Sequence, residues 1–252
     1  MKYTVITGAS SGIGYETALA FAARGKNVVL AARRNEQLEE LKAEITRINP
    51  DVDVIIRTTD LSIADNAYKL YESLQELQIE TWINNAGFGN FASVANQDLN
   101  KIEPLLRLNI EALTILSSLF VRDYSNSEGA QLINVSSGGG YTIVGNAVTY
   151  CASKFYVSAF TEGLSHELRN QGARMQAKVL APAATETEFA KRALNVKDFE
   201  YHGTVPKFHT AKEMAGFMLD LYDSDKVVGI VDGLTYEFEL RDAIFNYVER
   251  TR

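Results

Sequence analysis

Residues 2–14 read KYTVITGASSGIG, and this stretch decides the fold of the chain. It opens with a short apolar, β-branched run, residues 2–7, which is typical of a strand. Three glycines follow, Gly8, Gly12 and Gly14, and residues 15–24 then have the pattern of a helix. Such glycines let the backbone bend tightly and approach a pyrophosphate, whose charge lies on the free amides of the helix N-terminus. The stretch therefore predicts a dinucleotide-binding strand, turn and helix.

Strand-like and helix-like segments alternate along the rest of the chain. Further strands are predicted at residues 27–32, 52–58, 81–84, 131–136, 175–181 and 227–231. The longest helices are predicted at residues 100–123 and from Thr149 onward, where apolar residues repeat at helical spacing. This alternation predicts an α/β fold, a doubly wound, mostly parallel, seven-stranded Rossmann-like sheet with helices on both faces. Ligands bind such a sheet at the carboxyl ends of its strands.

Two local patterns extend this prediction. Residues 234–240 alternate like a further strand, and residues 243–248 are spaced like a helix. Thr210 with Glu213 has the spacing of a capping box that opens a helix, and residues 62–65 resemble one as well.

Composition limits the classes of function. The 252 residues are 46% hydrophobic and contain no linker, repeat or charge run, so residues 1–252 are interpreted as one domain. A net charge of −7 argues against nucleic acid as a partner. The first residues are too short an apolar run for a signal peptide, and no stretch approaches the ~20 apolar residues of a membrane span. We therefore expect a cytoplasmic, soluble protein without a membrane partner.

Cysteine and histidine usage points away from disulfides and metals. The one cysteine, Cys151, permits no internal disulfide and is interpreted as a small residue that fills space in a helix. The three histidines, His166, His202 and His209, lack the spacing of metal ligands, so no metal site is expected.

Tyr150 and Lys154 form the strongest catalytic pattern. They lie four positions apart in a predicted helix and therefore share one face. A nearby cation stabilises the phenolate and lowers the pKa of a tyrosine from its usual value of ~10. The fifth strand ends at Ser136 and Ser137, which places a hydroxyl at the carboxyl end of the sheet. These groups suit proton transfer.

The glycine stretch also permits a different class of enzyme. Residues 8–12 satisfy GxSxG, the turn that carries the serine nucleophile of α/β-hydrolases, with Ser10 as the nucleophile. A hydrolase needs an oxyanion-hole loop from an earlier strand, yet this turn follows the first strand. No histidine is well placed as its base, so the phosphate-binding interpretation is favoured.

Five motifs together resemble the short-chain dehydrogenase/reductase family over nearly the whole chain. They are TGASSGIG at 7–14, NNAG at 84–87, Asn109, NVSS ending at Ser137, and YCASK at 150–154. The thirteen positions from Ser137 to Tyr150 and the four from Tyr150 to Lys154 both match the family.

The resemblance implies a role for each catalytic residue. Tyr150 is the general acid/base, and Lys154 lowers its pKa and binds the nicotinamide ribose. Ser137 holds the substrate oxygen. Asn109, at a helix kink, holds a water that continues the proton path through Lys154. These roles imply hydride transfer between a nicotinamide cofactor and a carbonyl or alcohol.

The resemblance also implies the cofactor-binding residues. Asp60 contacts the adenine, and Thr187 binds the nicotinamide carboxamide although Ala183 replaces the usual glycine after Pro182. Besides Tyr150 and Lys154, the full expected set is Gly8, Ser10, Ser11, Gly12, Ile13, Gly14, Arg33, Arg34, Asp60, Leu61, Asn84, Asn85, Ala86, Gly87, Pro182, Thr185 and Thr187.

The end of the second strand predicts NADP(H) rather than NAD(H). Ala32 stands where an NAD-binding unit usually offers Asp or Glu to the ribose, and Arg33 and Arg34 follow. A guanidinium presents a planar fork that matches phosphate oxygens. Arg33 is therefore expected to bind a 2′-phosphate, while Arg34 either adds a contact or points to solvent.

Three further expectations concern the substrate and the assembly. By the resemblance, residues 183–210 correspond to the family's substrate lid. Five of its residues either line an apolar pocket or pack the lid onto the body: Phe189, Leu194, Phe199, Tyr201 and Phe208. The long apolar helices predict a homodimer or homotetramer, through Ile115, Leu116, Leu119, Phe120, Phe155, Phe160 and Leu164.

A third hypothesis for the function, a non-catalytic nucleotide sensor, is disfavoured because Ser137, Tyr150 and Lys154 are all intact.

Overall fold

The computed structural model describes residues 1–249. In that range the strands are β1 (Lys2–Thr7), β2 (Asn27–Ala32), β3 (Val54–Thr58), β4 (Gln78–Asn84), β5 (Gln131–Val135), β6 (Gln176–Ala181), β7 (Thr185–Glu186), β8 (His209–Thr210), β9 (Val228–Val231) and β10 (Phe238–Arg241). The helices are α1 (Gly12–Ala23), α2 (Asn35–Ile48), α3 (Ala64–Glu72), α4 (Leu99–Leu106), α5 (Leu113–Tyr124), α6 (Val148–Asn170), α7 (Glu188–Leu194) and α8 (Ala211–Asp223).

Eight of these strands form one sheet in the order β10-β9-β6-β5-β4-β1-β2-β3. Seven are parallel, and β10 pairs antiparallel with β9 at one edge. From β1 the chain adds β2 and β3 on one side of the sheet and then β4, β5 and β6 on the other. The strand order therefore reverses between β1 and β4, and open α/β sheets bind ligands at that point. The predicted Rossmann-like α/β fold is confirmed. The predicted count of seven strands is wrong, since β10 adds an eighth.

Successive β1 side chains pack on opposite faces of the sheet, as strand geometry requires. Ile6 belongs to a core with Phe21 of α1 and Met218 of α8, whereas Val5 belongs to a core with Trp82 and with Phe120 of α5. Helices therefore cover both faces. Because helices bury both faces of the sheet, a ligand can reach it only at the ends of the strands, and the carboxyl ends are where a binding site is expected.

The longest helical segment runs from α4 to α5 through a π-helical turn, Arg107–Ala112. At 26 residues, Leu99–Tyr124 is long and apolar enough to cross a membrane, which corrects the expectation that no stretch approaches such a span. Length and composition alone carry little weight, because a core helix of a soluble protein meets the same criterion. Here Leu105, Leu116 and Phe120 are almost fully buried in the protein core.

Three local predictions concern helix ends. The capping box at Thr210 and Glu213 is confirmed, since each side chain accepts a hydrogen bond from the other's backbone N–H at the start of α8. The capping box predicted at residues 62–65 is wrong, because Ile63 precedes α3 and the Ser62 hydroxyl instead donates to Asp60 at 2.7 Å. The helix predicted at residues 243–248 is also wrong, and those residues are irregular.

A long-range contact explains the missing helix. The backbone N–H groups of Ile244 and Phe245 both donate to the carboxylate of Glu162 on α6, at 2.5 and 2.8 Å. The segment is therefore held to the body through its backbone, with Ala243 and Phe245 half-buried and with Ile244, Tyr247 and Val248 exposed.

Candidate active site

One continuous cavity of about 1100 Å³ follows the carboxyl ends of the strands. We call its two ends the arginine end, lined by Arg33, Arg34, Asp60, Glu188 and Arg192, and the tyrosine end, lined by Ser137, Tyr150 and Lys154. The glycine turn after β1 lies in the same cavity. A volume of this size suits an extended ligand with a second molecule beside it.

The glycine turn needs its glycines for two separate reasons. Gly8 and Gly12 have φ of +69° and +59°, a left-handed conformation that favours glycine. Gly14 does not line the cavity, and its assignment as a cofactor contact stays a prediction. A Cβ on Gly14 would lie 2.4 Å from the Nδ2 atom of Asn85, so its role is to let α1 pack closely on the turn after β4.

The turn after β4 is fixed to β1 by hydrogen bonds. The Thr7 hydroxyl accepts from the backbone N–H groups of Asn85 and Ala86, both at 3.0 Å. The Asn85 side chain donates to the carbonyl of Thr7 at 2.9 Å. These bonds hold Asn85, Ala86 and Gly87 against the glycine turn, and all three line the cavity.

Asn84, the first residue of the NNAG motif, has a structural role instead. Its side chain is buried and accepts a hydrogen bond from the Trp82 indole at 2.9 Å. It donates to Asn134 and Ser117 at 2.9 and 3.1 Å, which joins β4 to β5 and α5. Asn84 is absent from the cavity wall, and its assignment as a cofactor contact stays a prediction.

Charged side chains converge at the arginine end. Arg34 donates to the backbone carbonyl and hydroxyl of Ser10 at 3.2 and 3.3 Å, and its Nη1 lies 3.2 Å from the Glu188 carboxylate. Glu188 also accepts from Arg192 at 2.5 Å. Arg33 lies 3.9 Å from Asp60. Arg34 thus contacts the glycine turn and the lid helix α7 rather than pointing to solvent.

Ser137 is placed by the turn that follows β5. Its backbone neighbour Gly138 donates to the Pro182 carbonyl at 2.7 Å, which ties the turn to the end of β6. The Ser137 hydroxyl oxygen accepts from the backbone N–H of Gly139 at 3.0 Å. Because that bond occupies one lone pair, the hydroxyl hydrogen remains available for an oxygen in the cavity.

Tyr150 and Lys154 are buried side by side in the first turns of α6. The Lys154 ammonium lies 6.0 Å from the Tyr150 ring centroid and donates to the backbone carbonyl of Val135 at 2.8 Å. Burial is the main cause that raises the pKa of Tyr150, to about 12, and the nearby Ser137 hydroxyl opposes it in part. Burial also lowers the pKa of Lys154 to about 8.

The expected lowering of the Tyr150 pKa is therefore wrong for the protein alone. Burial disfavours the phenolate more than the Ser137 hydroxyl favours it, and the Lys154 ammonium is directed at Val135. The phenol holds its proton at neutral pH. It is set up to donate that proton to an acceptor that gains negative charge.

Asn109 lies in the π-helical turn, beside the site but outside the cavity wall. Its side chain donates to the Phe88 carbonyl and to the Ser153 hydroxyl, both at 3.1 Å, and accepts from the Phe88 N–H at 3.2 Å. A Cβ on Gly87 would lie 3.1 Å from Asn109 Oδ1 and 3.4 Å from Lys154 Nζ. Asn109 thus packs next to Lys154, with both of its N–H groups already engaged.

Most of the residues expected from the sequence lie in the cavity wall. These are Gly8, Ser10, Ser11, Gly12, Ile13, Arg33, Arg34, Asp60, Leu61, Asn85, Ala86, Gly87, Ser137, Tyr150, Lys154, Pro182, Thr185 and Thr187. Gly14, Asn84 and Asn109 do not line it.

Residues 183–210 contribute to both ends of the cavity, with Glu188 and Arg192 at the arginine end. The two short strands near the ends of this segment, β7 and β8, pair with each other. Phe189, Leu194, Phe199 and Tyr201 line the cavity, whereas Phe208 packs against the Tyr201 ring at 5.3 Å. The Thr187 hydroxyl accepts from the N–H of Phe189 at 3.2 Å and so caps α7.

Several residues of the cavity wall were not predicted from the sequence. Phe91 packs edge-on against Tyr150 and Phe189, at 6.4 and 6.3 Å between ring centroids. Four others are Tyr141, Arg192, Ile244 and Phe245. Tyr141 could have been found because it follows the glycines after Ser137. The other residues carry no local signal.

A dinucleotide fits the residues that are present. A wall of glycines in a left-handed conformation, the N-terminus of α1 and two arginines suits phosphate groups. The buried Tyr150 phenol and Lys154 ammonium, with the half-buried Ser137 hydroxyl, suit proton transfer next to a nicotinamide.

Comparison with known proteins agrees with this geometry. Residues 2–197 match the family model described as short chain dehydrogenase. The chain belongs to the short-chain dehydrogenase family.

Individual members are similar over most of the chain. This short-chain dehydrogenase is 30% identical to human dehydrogenase/reductase SDR family member 11, over 79% of the chain and 78% of that protein. A short-chain dehydrogenase from Sphingobium yanoikuyae, solved in complex with NADPH, is 31% identical with a TM-score of 0.83, over 91% and 87% of the two chains. The bulky-bulky ketone specific alcohol dehydrogenase from Comamonas testosteroni is 26% identical with a TM-score of 0.79, over 91% and 86%.

Proposed function

We propose that this short-chain dehydrogenase reduces a ketone or aldehyde to an alcohol, or catalyses the reverse reaction, with NADP(H). The observation that carries the proposal is the tyrosine end itself. A hydroxyl, a phenol and an ammonium from Ser137, Tyr150 and Lys154 line one buried end of a cavity whose other end carries arginines.

Each residue has a distinct part in the reaction. The bound nicotinamide supplies hydride transfer to or from the carbon of the reacting C=O or CH–OH group. The Ser137 hydroxyl hydrogen orients the substrate oxygen. Tyr150 gives its proton to that oxygen as negative charge develops, and Lys154 stabilises the phenolate that remains. In the oxidation direction Tyr150 takes the proton back.

The arginine end supports NADP(H) over NAD(H). Ala32, at the end of β2, offers no carboxylate to repel a 2′-phosphate, and Arg33 and Arg34 line the cavity beside it. A charge-assisted hydrogen bond contributes about 1.5 to 3 kcal/mol, so one or two contacts give a preference of roughly ten- to several-hundred-fold. The Sphingobium yanoikuyae relative, solved with NADPH, agrees with this assignment.

The test is a panel of ketones, aldehydes and alcohols in which nicotinamide absorbance is followed with NADPH, NADH and their oxidised forms. We expect turnover of carbonyl compounds, faster with NADPH at low cofactor concentration. No turnover with any of them, together with hydrolysis of an ester panel, would favour the hydrolase instead.

The surroundings of Ser10 count against that hydrolase. Its hydroxyl accepts from Arg34, whereas the serine nucleophile of a hydrolase donates to an imidazole base. The three histidines of the sequence pack on aromatic rings, His166 on Tyr247, His202 on Phe208 and His209 on Phe217. The nucleotide sensor predicts no turnover of either panel.

We also propose a homodimer or homotetramer formed through α5 and α6. Ile115, Leu119, Phe160 and Leu164 remain partly exposed on these helices. Leu116 and Phe120, two of the residues expected at this interface, instead lie in the core. Light scattering at micromolar concentration is expected to give a multiple of the chain mass, and a monomeric mass would contradict the proposal.

A further inference from the structure

Residues 242–249, which follow β10, lie along α6, the helix that carries Tyr150 and Lys154. The Phe245 ring lies 6.4 Å from that of Phe155, and Tyr247 stacks on His166 at 4.5 Å. Glu249 accepts a hydrogen bond from Asn170 at 2.5 Å. The 242–249 segment is thus attached along α6 from Phe155 to its last residue.

A buried carboxylate anchors the segment. Glu162 is 1% exposed, and one of its oxygens accepts from the N–H groups of Ile244 and Phe245 at 2.5 and 2.8 Å. The other oxygen accepts from the Tyr141 hydroxyl at 2.6 Å. Burial of a carboxylate costs several kcal/mol unless its oxygens are hydrogen-bonded, so the three donors hold segment and carboxylate together.

Tyr141 connects this anchor to the catalytic turn. Its backbone N–H donates to Gly138, next to Ser137, at 3.0 Å. Its ring stacks on Phe245 with centroids 5.4 Å apart and an angle of 14° between the planes. Burial and the Glu162 carboxylate raise the pKa of Tyr141, so the phenol keeps the proton that it donates. Glu162, Tyr141 and Phe245 therefore form one unit beside Ser137.

This unit closes one side of the tyrosine end. Tyr141, Ile244 and Phe245 line the same cavity as Tyr150. Other parts of its wall are also apolar, and they come from segments far apart in the sequence: Phe91, Val144, Phe189, Leu194, Phe199 and Tyr201. A compartment made largely of rings and aliphatic groups, beside the Ser137 hydroxyl and the Tyr150 phenol, favours a carbonyl carried on an apolar ring.

We propose that Glu162 positions the 242–249 segment as a wall of the substrate compartment, and that the Phe245 ring limits the size of the apolar, ring-bearing ketone that reaches Ser137 and Tyr150. The inference rests on the proposed carbonyl chemistry. It makes Glu162 a positioning residue and Phe245 a specificity-determining one.

Glu162→Gln tests the anchor without relying on activity. The carboxamide is neutral and keeps only one acceptor oxygen, so it cannot accept from the segment with one oxygen and from Tyr141 with the other, and its bonds to the N–H groups lose the strength that the charge gives. We expect backbone amide hydrogen exchange at Ile244 and Phe245 to become at least about tenfold faster. Exchange at wild-type rates in the folded variant would overturn the anchor. Tyr141→Phe removes a single hydroxyl and is expected to speed exchange by a smaller factor, which keeps the test decisive if Glu162→Gln does not fold.

Phe245→Ala tests the size limit. The probes are acetone, cyclohexanone and 2-decalone, and kcat and KM are measured for each with NADPH. We expect the kcat/KM ratio of 2-decalone to cyclohexanone to rise several-fold in Phe245→Ala. Val248→Ala is the matched control, because Val248 belongs to the same segment, is 84% exposed and does not line the cavity. In Glu162→Gln, KM for cyclohexanone is expected to rise about tenfold while NADPH affinity stays unchanged.

The outcomes separate this inference from the proposed function. Turnover of the probes by every variant with an unchanged size profile would overturn the size limit while the carbonyl chemistry stands. If the wild type reduces none of the probes or the wider panel, the proposed function fails and the size limit with it. Hydrogen exchange at Ile244 and Phe245 then still supports or overturns the anchor.

Discussion

The two ends of the cavity differ in how far solvent reaches their charged and titratable side chains. The arginine end is partly solvated: the Arg33 side chain is 59% exposed, and its distance to Asp60 is a loose 3.9 Å. At the tyrosine end, Tyr150 and Lys154 are only 8% and 5% exposed. Water screens charges at the first end, whereas burial shifts the pKa values at the second. Binding preference and proton transfer are therefore expected to respond to separate mutations.

Tyr150→Phe should remove proton transfer at the tyrosine end and leave cofactor binding at the arginine end unchanged. Loss of the phenolic proton is expected to lower kcat by roughly 10²- to 10⁴-fold, while the dissociation constant for NADPH stays nearly unchanged. Lys154→Ala should both lower kcat and weaken NADPH binding. The matched control is Tyr156→Phe, on the same helix, whose hydroxyl pairs with Thr114 at 2.8 Å. Wild-type turnover by Tyr150→Phe across a pH series would show that another group supplies the proton.

Arg33→Ala and Ala32→Asp should change the arginine end alone. We expect the preference for NADP(H) over NAD(H) in kcat/KM to fall by roughly ten- to several-hundred-fold, because a guanidinium is lost or a carboxylate repels the 2′-phosphate. kcat at saturating NADPH is expected to stay within a factor of about two in Arg33→Ala. Arg47→Ala, on the exposed face of α2, is the control. An Arg33→Ala variant with the wild-type preference would contradict this assignment.

The pH profile should sharpen the contrast between the ends. Lys154 has a pKa lowered to about 8, so it loses its charge as pH rises through that value, while Tyr150, with a pKa near 12, keeps its proton. We expect kcat/KM for carbonyl reduction to be flat below pH 8 and to fall about tenfold per pH unit above it. The measurement is ketone reduction from pH 6 to 10. A rate that stays level to pH 10 would show that the Lys154 charge is not required.

Glu188→Gln should produce the smallest effect. Glu188 accepts from both Arg34 and Arg192, yet its side chain is 50% exposed, so solvent weakens these ion pairs. Removing its charge is expected to tighten NADPH binding by about threefold, with little change for NADH. Fluorescence titration of both cofactors provides the measurement, with Glu186→Gln as the control. Weaker NADPH binding would show that Glu188 orients the arginines rather than competing for them.

The comparison of the two ends also explains what the sequence could predict. The arginine end includes residues that closely follow a strand, Arg33 after β2 and Asp60 after β3, and the glycine turn in the same cavity follows β1. Once alternation gives a parallel sheet, those positions must meet at one edge. Tyr150, Lys154 and Ser137 could be predicted for a similar reason, since helix spacing and the end of β5 place them.

Residues that meet only through tertiary packing could not be predicted in this way. Phe245 reaches the cavity because Glu162 binds its backbone N–H, and neither residue carries a local signal of that contact. The helix predicted at residues 243–248 failed for the same reason. The pKa of Tyr150 was predicted in the wrong direction, because helix spacing reveals a nearby cation but not the degree of burial.

The anchoring of residues 242–249 has a practical consequence for protein engineering. Glu162 binds the main-chain N–H groups of Ile244 and Phe245, so this part of the attachment is available with any residue except proline at these two positions. A library randomised at positions 244 and 245 can therefore reshape the compartment while the scaffold stays in place. Selection from such a library offers a route to new ketone specificities without altering the proton donor or the cofactor seat.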